Sequence, residues 1–334
     1  MPAYTNATAR PRQELGAVIR EGRGANKLNI HSQILPPLAV NKRTVHLVKA
    51  KIANAQLSRI LDDYFITAPG ADVERMTMKL DDDTFTISIR KREVQVPDEV
   101  EMDYADYLSV ESLAAMNAAE SVELTTEYLT AAAIMNASTF GAGTAAVADY
   151  TAANLAAGTI NFVADIYAAI ERGVDQGEIL NTIVLSQQVY NRIRQSTLLK
   201  NYVVSQLGRG FEVNQSNLQL AFADAGIEKV LIGRSTYNSA ADGATPVMSR
   251  VWGNTYVWVG ATGNSATGTE DGISTIEGVG VNAFWDSYTP QNGYGVDTYR
   301  EEKTESNIVR AKTSKAPYVA NANAGTLITT GYTA

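Results

Sequence analysis

Apolar residues along the 334-residue chain change period several times, and each change marks an element. Between Val73 and Ile89 they largely alternate with polar ones. Val73, Met76, Met78 and Leu80 precede the run Asp81, Asp82, Asp83, and Phe85, Ile87 and Ile89 follow it. A period of two on both sides of a polar run predicts an antiparallel hairpin that turns at the aspartates and has one thin apolar face. Such a hairpin is marginal in water by itself, so it needs a surface to lie on.

The period then lengthens. Pro97 closes the strand side, Asp98 stands at an N-cap position and Glu101 at the capping-box position. No Gly or Pro occurs from Glu99 to Ser138, which predicts one uninterrupted helix of about 50 Å. Its apolar stripe is read as Tyr104, Leu108, Leu113, Met116, Val122, Leu129 and Ala133. After a small-residue loop from Phe140, "INFVADIYAAIERGVDQG" predicts an amphipathic helix and "NTIVLS" a buried strand. The helix "QQVYNRIRQSTLLKNYV", the helix "LQLAFADAG" and the strand "EKVLIG" follow, and the alternation implies a compact α/β unit from about Phe140 to Thr289. "SRVWGNTYVWVGA" reads as a strand pair and "NSATGTEDGIST" as a surface loop. The stretch from Tyr294 to Thr330 predicts long exposed strands with Lys and Glu outward, as edges carry them.

The first 45 residues mix Gly, Pro, Asn and basic residues with scattered apolar positions, too few to form a core of their own. Charge sharpens that picture. Residues 1–60 hold ten Lys/Arg against Glu14 and Glu21, a balance of +8, so with a net charge of −8 the rest of the chain carries −16. The basic arm (Arg10, Arg12, Arg20, Arg23, Lys27, Lys42, Arg43) suits nucleic acid, the acidic body of a neighbouring copy, or solvent. It has a single aromatic residue, Tyr4, in the first 60 positions, so any nucleic-acid contact would be nonspecific and salt-sensitive.

Candidate chemistry is sparse. There is no cysteine, which removes disulfides and thiolate sites and fits folding in a reducing place. The two histidines, His31 and His46, fall in the basic arm with no carboxylate cluster beside them in sequence, and both read as surface or contact side chains. Gly141, Gly143 and Ala146 match G-x-G-x-x-A but follow a helix where a dinucleotide loop follows a strand. The aspartate run lacks the spaced ligands and the glycine of a Ca²⁺ loop. Thr197 to Lys200 imitates a Ser/Thr-x-x-Lys nucleophile pair on what reads as a packing helix. No catalytic, cofactor or metal residue is assigned, and no long apolar segment predicts a membrane span.

The order of these elements resembles the major capsid proteins of tailed bacteriophages, which have the Hong Kong 97-type fold. The resemblance rests on "TISIRKREVQVPDEVEMDY" running into the helix, on "NTIVLSQQVYNRIRQSTLLK", and on "LQLAFADAGIEKVLIGRSTYNSA" followed by "SRVWGNTYVWV", over about residues 75–310. It implies an α+β chain with an N-terminal arm (1–45), an extended β-hairpin loop (46–97), a peripheral domain with a spine helix (98–139 and 290–334) and an axial α/β domain (140–289). It also implies a structural protein, not an enzyme, whose copies meet as pentamers and hexamers in an icosahedral shell around double-stranded DNA. Portal, scaffold and decoration proteins would be further partners, and the place would be the virion capsid, assembled in the host bacterial cytoplasm. In such a shell Met76, Met78, Phe85, Ile87 and Ile89 would lie against a neighbouring subunit. An encapsulin-like compartment shell and a phage tail or adhesin protein are the alternatives.

Overall fold

The helix–strand alternation after residue 149 closes on a five-stranded mixed sheet. The computed structural model describes residues 10–11, 28–51, 79–104, 109–140, 142–145, 149–241, 243–269 and 272–332. Its helices, in chain order, are α1 (His31–Ile34), α2 (Asp98–Tyr104), α3 (Val110–Ile134), α4 (Ala137–Phe140), α5 (Ala152–Ala157), α6 (Phe162–Asp175), α7 (Gln187–Ile193), α8 (Thr197–Leu207) and α9 (Gln215–Ala221). In the sheet, Thr182–Ser186 is buried at every position, as a strand covered on both faces must be. It runs parallel to Lys229–Gly233 and antiparallel to Tyr256–Gly260. Gly325–Thr329 and Ala142–Ala145 complete the order.

Parallel neighbours need a crossover, and α7, α8 and α9 supply it. Each opens on a side-chain cap: Ser186 accepts from the Val189 N–H, Ser196 from Leu199 and Asn214 from Asn217. α6 buries Phe162, Val163, Ile166, Ala169 and Gly173 at helical spacing against the same core. Two tryptophans fill the centre. Trp258 lies flat over Gly260, where an added Cβ would meet the ring at 2.1 Å, and Trp252 lies over Gly233 at 2.2 Å.

A second core forms where α3 crosses an antiparallel sheet of Arg10–Pro11, Tyr294–Glu301, Ser306–Thr313 and Arg90–Pro97. Ala114, Ala115, Ala118, Ala119 and Val122 face Val96, Tyr294, Val296, Val309 and Ala311. Alanines let the helix approach the sheet closely. Further along α3, Ala131 and Ile134 join the first core, so one helix ties the two together. The stripe read from the sequence is therefore displaced. Of its members in α3 only Val122 is buried, and Leu113 is 42% exposed, because small Ala and Thr residues occupy the contact face.

A third, smaller core packs Leu38, Val40, Val45, Ile87, Val281 and Ala283. It sits on the three-stranded sheet Ala316–Val319, Gly280–Trp285 and Pro37–Val40. Residues 30–45 thus belong to the body: Ile30, Ile34 and Leu35 enter the first core, and Leu38, Val40 and Val45 the third.

Further expectations change. The aspartate run is no turn: Lys79–Thr86 passes straight through it as one strand, paired with Thr44–Lys51 from Thr44 opposite Thr86 to Lys51 opposite Lys79. The long helix is broken. α2 ends at Tyr104 and α3 starts afresh behind Ser109, whose extended backbone and hydroxyl cap the Ser112 N–H, leaving 25 residues or about 37 Å. Asp98 pairs with Arg300 through both carboxylate oxygens (2.9 and 2.6 Å). The loop after residue 262 is a bulged hairpin, Thr262–Thr269 with Gly272–Gly278. Ser306–Thr313 is an interior strand, bonded on both sides, and its outward charges are paired: Arg310 with Glu93 at 2.6 Å and Lys312 with Asp297 at 3.0 Å. The C-terminal segment leaves this sheet, and Gly325–Thr329 inserts into the five-stranded one.

Candidate assembly interface

The strands Thr44–Lys51 and Lys79–Thr86 form a two-stranded sheet of their own. Eight residues a side give a ribbon about 26 Å long. Its root is fixed by the third core. Ile87 is fully buried there, and Phe85 stacks on Tyr318 of the same subunit with ring centroids 4.6 Å apart. The Tyr318 hydroxyl donates to Asp83 at 2.7 Å. At the turn into the ribbon, the Ile87 N–H donates to the Arg43 carbonyl and the Arg43 guanidinium donates to the Ile87 carbonyl (2.9 and 3.1 Å).

These contacts redistribute the residues singled out in the sequence. Ile87 faces inward, so its side chain is not offered to a neighbour, and Phe85 is half-buried under its own subunit's Tyr318. Both anchor the ribbon because the chain must be held where the two strands enter the body. Ile89 is partly exposed just beyond the root. Met76 and Met78 lie outside the described residues. Of the basic positions, Lys42 and Arg43 are exposed at the root, and Arg10 begins the short strand beside Thr298 and Asp297. Arg12, Arg20, Arg23 and Lys27 lie outside the described residues, as do Gly141 and Ala146.

The cluster that sequence reading missed is centred on Glu127 of α3. Its carboxylate is fully buried and gathers donors from three separate segments. Oε2 accepts from the His31 backbone N–H (2.8 Å) and the His31 ring Nδ1 (2.9 Å), and both oxygens face the Ile30 N–H (3.1 Å). Oε1 accepts from the Trp252 indole at 2.6 Å and faces the Ser235 hydroxyl at 3.5 Å. His31 is accordingly buried, contrary to its reading as a surface group. The clasp fixes where the N-terminal segment joins the helix. Its one sequence signal is position: Glu127 falls on the same face as Ala119, Val122, Thr130 and Ile134.

Burial by itself would raise the Glu127 pKa, but the hydrogen bond and charge of His31, with the donors from Ile30 and Trp252, outweigh it and hold the carboxyl below its ordinary range. A depressed carboxyl pKa stabilises the fold above its unfolded value, and that contribution is lost as pH falls through the folded value. Asp165 acts in the opposite sense, since burial raises its pKa despite the hydroxyl of Tyr150 donating to it. The melting temperature is expected to drop as pH falls below about 5, and Glu127→Gln to flatten that drop. Equal slopes for the two proteins would remove Glu127 from the acid response.

Comparison by shape follows this architecture through almost its full length. A phage-related protein from Bordetella bronchiseptica RB50 superposes with a TM-score of 0.68 at 17% identity, covering 97% of this chain and 98% of that one. A virus-like particle from Pyrococcus furiosus matches at 0.53 and 10% identity over 95% and 98%. The capsid of cyanophage P-SCSP1u matches at 0.52 and 15% identity over 88% and 85%. The chain has the Hong Kong 97-type capsid fold. The long helix α3 is consistent with the spine helix of that fold. No protein-family model and no curated protein matches the capsid-fold chain by sequence. Among the described residues no helix is long and apolar enough to cross a membrane, and no group of three or more His, Asp or Glu is placed to hold a metal ion.

Proposed function

We propose that the chain is the major capsid protein of a tailed phage, assembling through pentamers and hexamers into an icosahedral shell around double-stranded DNA. The observation that carries this reading is the ribbon of Thr44–Lys51 and Lys79–Thr86, rooted in its own subunit and, among the described residues, joined to no other sheet. Two strands alone are marginal in water, so the ribbon gains stability when a neighbouring copy covers it, at about 25 cal/mol per Å² of apolar surface. Contacts between unlike patches, repeated by rotation, close rings and then shells.

In this reading 46–97 is the extended loop, with Met76, Met78 and Ile89 as its contacts to the neighbour. The peripheral domain is 98–139 with most of 290–334, and the axial domain is 140–289 joined by the strand Gly325–Thr329. The N-terminal arm, 1–45, is docked from Ile30 onward. The net +8 of the first 60 residues favours a genome over enzyme cargo inside the shell, with nonspecific, salt-dependent contacts. Portal, scaffold and decoration proteins are the further partners of this reading, and the host cytoplasm its place of assembly.

Electron microscopy of the purified chain, alone and co-expressed with its scaffold, is the test. Shells, tubes or five- and six-membered rings that protect double-stranded DNA from nuclease are expected. Shells that protect enzymes and no DNA would replace the genome reading with the compartment one, and a protein that stays monomeric at high concentration in both conditions would refute assembly itself.

A further inference from the structure

Two unlike patches on the helical layer of the five-stranded sheet carry exposed apolar side chains beside charges of opposite sign. The first is the tongue between α6 and the strand Thr182–Ser186. It holds Ile179 at 79% exposure and Val174 at 63%, among the most exposed large apolar side chains of the described residues. Glu171 and Asp175 are exposed beside them, and Glu178 is fixed by the Asn321 amide at 2.6 Å. The tongue is stiff. Gln176 and Gly177 turn the chain through bonds to Arg172, Gly173 and Val174, and Glu178 N–H returns to the Gly173 carbonyl at 2.9 Å. An exposed isoleucine on a rigid acidic turn costs solubility unless something covers it.

The second patch is an open cleft of about 630 Å³ between α7, α8 and the turn before α9. Phe211 (47% exposed) and Val204 (37%) form its apolar wall, and Arg194 and Lys200 supply cations. Glu212 also lines it, while Arg209 is exposed in the same turn. The cleft is thus apolar with a basic rim, and the tongue apolar with an acidic rim.

We infer that the tongue of one copy, led by Val174 and Ile179, seats in the Arg194–Lys200 cleft of the next. The pairing joins two different surfaces of one chain, so it is head-to-tail and generates a ring when the rotation closes. Apolar contact supplies the association, and the opposed charges select register and speed encounter. The inference rests on the shell reading above and deepens it by naming the residues that meet.

The test compares four full-length proteins. Arg194→Glu with Lys200→Glu reverses the cleft, Glu171→Lys with Asp175→Lys reverses the tongue, and a third variant carries all four changes. Every altered side chain is exposed, so circular dichroism and the melting transition are expected to match wild type. Each one-sided reversal is expected to raise the protein concentration needed for rings or shells by about tenfold or more, and the fourfold variant to return it to within about threefold of wild type. One-sided variants that assemble like wild type would overturn the pairing and leave the shell reading standing. So would a folded fourfold variant no better than the one-sided ones. Wild-type protein that forms neither rings nor shells would overturn the shell reading and the pairing together.

Discussion

Glu127→Ala is expected to destabilise the subunit by about 3–5 kcal/mol, read as a lower urea midpoint with an unchanged slope. The carboxylate accepts from the Ile30 and His31 N–H groups, the His31 ring nitrogen and the Trp252 indole. Removing it strands these donors in a buried site, and each orphaned buried donor costs about 1–3 kcal/mol less whatever relaxation recovers. The loss concentrates at one junction, because Ile30 and His31 begin α1, Glu127 sits in the C-terminal half of α3 and Trp252 covers Gly233. Amide exchange at residues 30 and 31 is therefore expected to accelerate more than in the strand Thr182–Ser186. A Glu127→Ala protein with an unchanged midpoint would show that solvent replaces the carboxylate at no cost, against the full burial of the site. Glu127→Gln keeps one acceptor oxygen but turns an NH₂ toward donors, and is expected to fall between the two.

Ile87→Asp is expected to be equally severe, on the order of 4 kcal/mol or more, because it places a carboxylate inside the third core among Leu38, Val40, Val45, Val281 and Ala283. Ile87→Ala removes only contacts and is expected to cost about 2–5 kcal/mol. Both act on the isolated subunit. The contrast is with Met78→Asp, which under the proposed shell contact leaves the subunit folded and reduces assembly. Denaturation of the monomeric fraction separates the cases. An Ile87→Asp subunit as stable as wild type would mean that Ile87 serves a neighbour after all, as the capsid resemblance implies.

That reversal shows how far a period can be trusted. Alternation marks extended chain on both sides of Asp81–Asp83, since a period of two reports which residues share a face, but the turn expected at the aspartates is replaced by one continuous strand, Lys79–Thr86. Alternation says nothing about the partner. The strand pairs with Thr44–Lys51, far back along the chain, because the third core holds both roots together. The helix break at Ser109 was legible in principle: Ser109 and Ser112 have the spacing of a cap, which composition without Gly or Pro obscures. The α3 stripe was misread for a related reason. Large apolar residues were taken for the buried face, but a helix lying close on a sheet buries its smallest side chains, Ala114, Ala115 and Ala118. The Glu127 clasp was not legible, since a lone Glu in a helix is ordinarily solvated and its donors come from positions about 100 residues away on either side.

The sequence by itself determined what neighbouring residues settle among themselves. The strand Thr182–Ser186, the amphipathic α6 and the α+β order follow from side-chain periodicity, whereas the single helix expected over Gln187–Val203 is two, α7 and α8, divided where the Ser196 hydroxyl caps the second. Tertiary structure alone decided the partners: Gly325–Thr329 inside the five-stranded sheet, Ile87 inside its own subunit, and His31 on Glu127. Each of these depends on which distant surface excludes water best, and that competition is settled only when the whole chain is packed.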